Sequence, residues 1–230
     1  MSRCFKIERE YYEKGMLLYK KRHVTFEPGL TVLIGCNGCG KTTLLKQVKH
    51  EVQDKLKFPC VYYDNISKGG KPSLSEALFL NDMNFVSSMF SASEGEGISL
   101  NLQKVAAQIG HMFKSSPDSE EYWILLDAID SGLSVDAVAD VKEGLLSTIL
   151  KEFQDKNIYI IVSANEYEMA HGEKCYDTVN CRYVNIKTYD RYRNIVLKSR
   201  DFKDTRDRRA AEYKQKEDDG DKQYGWIHSR

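Results

Sequence analysis

Residues 35–43, G-C-N-G-C-G-K-T-T, constrain this chain more than any other stretch. They fit the pattern G-x-x-x-x-G-K-[ST], with Gly35, Gly40, Lys41 and Thr42 in the fixed places. Glycine lets such a loop wrap its backbone close to phosphate oxygens at low steric cost. The flanks agree with that use. Residues 31–34, T-V-L-I, are β-branched and apolar, as a buried strand should be. Leu44, Leu45, Val48 and Val52 recur at helical spacing within residues 43–55. A helix starting here points its first, unpaired amides and the positive end of its dipole at an anion. The pattern predicts a nucleotide site in which Lys41 reaches the β- and γ-phosphates and the Thr42 hydroxyl ligates Mg²⁺. Gly35, Asn37, Gly38, Cys39, Gly40 and Thr43 complete the predicted cradle.

Charge and length add bounds. Lys+Arg and Asp+Glu each total 34, so the overall charge gives no sign of a nucleic-acid or anionic-membrane surface, although local patches could still supply one. A chain of 230 residues fits one domain, or one domain with a tail. No apolar run approaches the roughly 18 residues that a bilayer crossing needs. The opening M-S-R-C-F-K lacks the apolar core of a signal sequence. The expectation is a cytoplasmic protein, without a membrane partner, whose six cysteines are reduced and mostly structural. Cys36 and Cys39 form a C-x-x-C inside the loop. It reads as a metal half-site, a redox pair, or small residues tolerated at variable positions; no second C-x-x-C or C-x-x-H accompanies it, which favours the last. A disulfide there would distort the loop and block nucleotide binding.

Along the chain, residues 4–12 and 16–26 read as an antiparallel hairpin turning at Glu13-Lys14-Gly15. Tyr19, Arg22 and His23 on it offer flat groups to stack on adenine, or are solvated strand residues. Residues 60–63 form a short buried strand ended by Asp64 and Asn65, and Asn65 reads either as a contact to Mg²⁺ or the attacking water, or as a plain turn residue. S-L-S-E at 73–76 fits a capping box opening a helix to about residue 90. Residues 91–97, S-A-S-E-G-E-G, read as a polar break before a helix over 98–113. Residues 122–127, Y-W-I-L-L-D, form a buried strand ending in Asp127, where the Mg²⁺ hydration shell is expected to be held. A helix over 135–153, a strand over 157–162, a hairpin over 178–186 and a helix over 189–200 follow. From residue 201 both charge signs interleave, giving a solvated helix or a mobile tail with an apolar end, Y-G-W-I at 224–227, that suits docking.

The order phosphate loop, S-x-G-E at 93–96, strand ending at Asp127 and S-G-L-S at 131–134 resembles the ATP-binding-cassette superfamily. Over residues 3–200 the chain looks closest to the soluble heads of the chromosome-maintenance, break-repair and RecF-like branch, and is also similar to small stand-alone ATPases carried by phages and prophages. The resemblance implies an α/β P-loop NTPase: a head with a mixed sheet core, N-terminal antiparallel strands and a helical signature subdomain at about 66–120. Residues 1–200 would form the ATPase domain and 201–230 a charged C-terminal helix or tail. It further implies ATP and Mg²⁺ as cofactors and an ATP-dependent homodimer, with Ser93 and Gly95 of one head closing on the γ-phosphate of the other. DNA or a partner protein would be the object of the motion.

Two positions depart from the family pattern. Ala128 stands where a water-polarising glutamate usually follows Asp127, and S-A-N at 163–165 replaces the usual histidine. Asp130, Asn165 and Glu166 are the candidates to take over. The sequence thus allows a slow ATPase, or an ATP-dependent dimerisation switch with little or no hydrolysis. A small-molecule kinase has no use for S-x-G-E and S-G-L-S, and a transporter subunit would show L-S-G-G-Q.

Overall fold

The computed structural model describes the backbone of residues 2–10, 16–65 and 94–225, and the side chains of these except 94–101 and 213–225. The expected helix over 73–90 and Ser93 lie outside the described residues.

Two sheets carry the fold. β1 (Arg3–Lys6) pairs antiparallel with β2 (His23–Phe26). The pairing is shorter than the expected hairpin but is extended by Ile7 N–H to Arg22 O at 2.9 Å and an isolated bridge between Glu10 and Leu17. The main sheet is built from β3 (Gly29–Ile34), β4 (Cys60–Asp64), β5 (Glu121–Asp127), β6 (Asn157–Ser163), β7 (Lys174–Asp177) and β8 (Arg182–Val184). Their order is β4-β5-β6-β3-β7-β8, all pairs parallel except the antiparallel β7–β8 edge. The loop-bearing β3 is thus separated from β5 by β6, and the carboxyl ends of all three open on one side.

Both faces of this sheet are buried, which is why its strands read as continuous apolar runs. On one face Val32, Ile34, Ile124, Leu126, Ile160 and Val162 pack with Val105, Ile109, Val138 and Tyr192. On the other, Leu33, Trp123, Leu125, Tyr159 and Ile161 pack with Leu44, Leu45, Val48 and Phe5. The period-two alternation assigns neighbours to opposite layers. The Trp123 ring stacks on Tyr159 at 4.1 Å and meets Phe5 edge-on at 5.4 Å, tying the small sheet to the large one.

α1 (Lys41–Lys49) runs straight into a π-helical turn, His50–Lys55. α2 is Glu94–Ser115, so Glu94–Gly97 lies in the helix and the polar break does not reach that far. α3 comprises Val135–Asp140, π-helical Val141–Leu146 and Ser147–Glu152. α4 (Tyr167–Ala170) is a single turn. α5 runs Tyr189–Gly225, well beyond the composition change at residue 201. The C-terminal hairpin begins earlier than its sequence suggests: residues 178–181 are the turn, because Asp177 accepts the Asn180 amide at 3.0 Å and Cys181 has φ +48°.

Candidate active site

The loop after β3 is shaped by two glycines. Gly35 has φ +151°, and a Cβ there would lie 2.5 Å from Cys39 Sγ. Gly40, at φ +107°, starts α1, and a Cβ on it would meet the Tyr19 ring at 3.0 Å. α1 has no side-chain cap and no acidic residue in its first turn, so its amides and dipole face the loop uncompensated. Tyr19 is fully buried and donates its hydroxyl to Gly40 O at 2.8 Å. It braces the loop; it is neither a solvated strand residue nor a stacking surface. Lys41, also buried, donates to Gly35 O at 2.7 Å and Cys36 O at 3.4 Å.

The carboxyl end of β5 supplies the acidic half. Asp127 is 1% exposed. One of its oxygens accepts the Ser163 hydroxyl at the end of β6, while Ser163 Oγ accepts the Ala128 amide at 2.8 Å. The other, Oδ2, is buried with no hydrogen-bond partner. Ala128 lies in the left-handed region at φ +51°, a conformation that costs an alanine energy and must be held by its surroundings. The holding groups are Ser163 on its amide and Asn65 on its carbonyl. Asn65 Nδ2 donates to Ala128 O at 3.0 Å and Ser131 O at 2.9 Å, and its Oδ1 accepts the Tyr63 hydroxyl at 3.0 Å. Both side-chain polar atoms of Asn65 are engaged, Nδ2 with the 128–131 loop and Oδ1 with Tyr63.

Asp130 Oδ2 accepts the amides of Asn165 and Glu166, both at 2.6 Å. Burial raises its pKa, opposed by those two amides. It braces the segment after β6, and the Asn165 side chain in turn donates to Ser131 Oγ at 3.3 Å. Asp130→Ala is expected to leave two amides unpaired, to loosen Asn165 and to lower Mg²⁺-dependent phosphate release roughly tenfold to a hundredfold through mispositioning. Wild-type phosphate release in that variant would remove Asp130 from the mechanism.

Asn37, Gly38, Gly40, Lys41, Thr42, Thr43, Asp127, Ala128, Ser131, Ser163 and Asn165 come together around one cavity of about 720 Å³. Gly35 lines a neighbouring cavity with Cys36 and Asn37, Cys39 is buried behind the loop, and Gly95 sits in the first turn of α2. Asp130 and Asn65 do not line either cavity. The sequence did not single out three contributors. Ser163 orients Asp127. Ser199 on α5 accepts the Cys36 amide at 2.7 Å. Arg206, 9% exposed, approaches Gly38 O at 3.4 Å and lines the cavity.

The donor set fits a nucleotide with Mg²⁺. Asp127, with a buried carboxylate oxygen lacking a protein partner, lines the same cavity as the Thr42 hydroxyl and the loop lysine. Among the described residues no cluster of three His, Cys, Asp or Glu could cage a metal by itself.

A glycine loop between a parallel strand and a helix, facing an aspartate at the end of another strand, defines a P-loop nucleotide-binding domain. Residues 31–173, more than half the chain, match the model of the ATPase family associated with various cellular activities (AAA), and the chain belongs to that family. Nucleotide binding comes with the family, and ATP hydrolysis is its reaction. No curated protein matches the chain. No helix among the described residues is long and apolar enough to cross a membrane.

Proposed function

We propose that this chain is a slow, Mg²⁺-dependent ATPase head that pairs with a second copy of itself when ATP is bound and acts on DNA or a partner protein. The observation that carries the reading is the Asp127 carboxylate, with one oxygen held by Ser163 and the other buried without a partner beside Lys41 and Thr42. On binding, the Lys41 ammonium leaves the carbonyls of Gly35 and Cys36 for the β- and γ-phosphates. The first amides of α1 would hold the phosphate oxygens, and Thr42 Oγ1 and Asp127 would hold the ion. Mg²⁺, when bound, would offset the charge that builds in the transition state. Ser131 and Asn165 stand at the cavity without a charge, Ala128 offers no carboxylate, and the cavity's second carboxylate, Asp207, is paired with Arg206 at 2.8 Å. Turnover then relies on positioning and electrostatics and is slow.

The order of motifs within 35–134, which resembles the RecF-like branch, supports the face-to-face pairing; Ser93 and Gly95 would reach the partner's γ-phosphate. Mg²⁺ with a non-hydrolysable ATP analogue is expected to double the mass seen by light scattering. A monomer at saturating nucleotide would count against the pairing. Ala128 also favours a second reading, in which ATP only assembles the pair. Phosphate release that does not exceed a Lys41→Ala control would select it over the ATPase.

A further inference from the structure

We propose that Cys36 and Cys39 are a peroxide-responsive disulfide site that closes the phosphate loop to nucleotide. The proposal rests on the reading of the 720 Å³ cavity as the nucleotide site.

Residues 36–39 form a tight turn in which the Cys39 amide donates to Cys36 O at 3.2 Å. Such a turn holds its end Cα atoms within about 7 Å, the range a disulfide spans. The neighbouring Cys39 thiol, the Ser199 hydroxyl and the nearby Lys203 and Lys41 ammonium groups outweigh burial and bring the Cys36 thiol down to about 6, whereas the neighbouring Cys36 thiol and burial push Cys39 up. Cys36 is therefore the nucleophile and Cys39 the resolving thiol. Both are buried, Cys36 at 5% and Cys39 at 1% exposed, but Cys36 lines both loop cavities and Cys39 lines neither.

The chemistry closes with hydrogen peroxide as oxidant. Cys36 sulfur attacks one peroxide oxygen, the O–O bond breaks, and hydroxide leaves and takes up a proton as water. Cys39 sulfur then attacks the sulfur of the Cys36 sulfenic acid; the S–O bond breaks and the departing oxygen takes the Cys39 proton as a second water. Two thiols are oxidised and one peroxide is reduced to two waters.

The consequence follows from the loop's hydrogen bonds. To cradle phosphates, the loop amides must turn to the anion and Lys41 must leave Cys36 O. A 3.2 Å hydrogen bond across the turn yields to that demand, but a covalent bond keeps the Cys39 amide directed at Cys36 O. Because Ser199 accepts the Cys36 amide, the constraint also ties α5 to the loop.

The test treats the reduced full chain with hydrogen peroxide, blocks free thiols, digests it, and in parallel titrates a fluorescent ATP analogue with Mg²⁺. The expected result is a linked Cys36–Cys39 peptide, two hydrogens lighter, and affinity reduced about tenfold or more and restored by a dithiol. Saturating ATP should slow the linkage. Cys36→Ser, compared with its own untreated form, should neither link nor respond to peroxide, whereas Cys39→Ser should stop at oxidised Cys36 without a linkage. A free Cys39 thiol after treatment, or a complete linkage with unchanged affinity, overturns the proposal. A reduced wild-type chain that binds no ATP instead defeats the nucleotide reading, and the peptide mass still decides the disulfide.

Discussion

Ala128→Glu is expected to raise Mg²⁺-dependent ATP turnover about a hundredfold or more, the contribution of a positioned general base. Residue 128 directly follows Asp127 and faces the same cavity. Its backbone is held at φ +51° by Ser163 and Asn65, so the left-handed conformation is already imposed, whichever side chain stands there. A glutamate would place a carboxylate beside the ion's water without rebuilding the loop. Phosphate release from wild type, Ala128→Glu and Ala128→Gln makes the comparison. Glutamine preserves size and polarity but accepts no proton, so it should stay near the wild-type rate. Equal rates in all three would mean that the loop does not aim residue 128 at the attacking water. An equal rise with glutamine would mean that the gain came from shape.

Much of this site was legible because its signals are local. The phosphate loop binds through backbone geometry, so its glycines and lysine must sit at fixed spacing, and the apolar runs at 31–34, 122–126 and 157–162 announce strands buried on both faces. Ser163, Tyr19 and Arg206 were not legible, because their roles exist only after distant elements meet: Arg206 lies 168 positions from the Gly38 carbonyl it approaches. Asp130 shows a different limit. Its spacing from Asp127 suggests a base, and its bonds to the amides of Asn165 and Glu166 add a bracing role that the sequence does not announce. α5 was hidden by its own charge. Its buried stripe of Tyr192, Ile195, Ser199, Arg206 and Ala210 has helical spacing, but two of the five are polar, so apolar periodicity fades where the helix still packs.

Asp127→Asn is expected to lower turnover roughly a thousandfold, the equivalent of several kcal/mol of lost charge stabilisation, and to abolish its dependence on Mg²⁺. Asparagine keeps the volume and one acceptor oxygen, so the Ser163 hydroxyl and the Ala128 turn retain their partner. What disappears is the negative charge on the oxygen that no protein group satisfies. A buried charge with one oxygen unsatisfied is costly to fold, so the variant should melt no earlier than wild type when nucleotide is left out. Adding ATP with Mg²⁺ should raise the wild-type melting temperature and leave the variant where ATP alone leaves it, since stabilisation follows the affinity for the added ligand. The pair of measurements separates charge from scaffold: a variant that melts early has lost the strand end, and its low turnover would then say nothing about the ion. A variant that folds normally and keeps its Mg²⁺ dependence would place the ion on other oxygens and leave the unpartnered Asp127 oxygen without a chemical role.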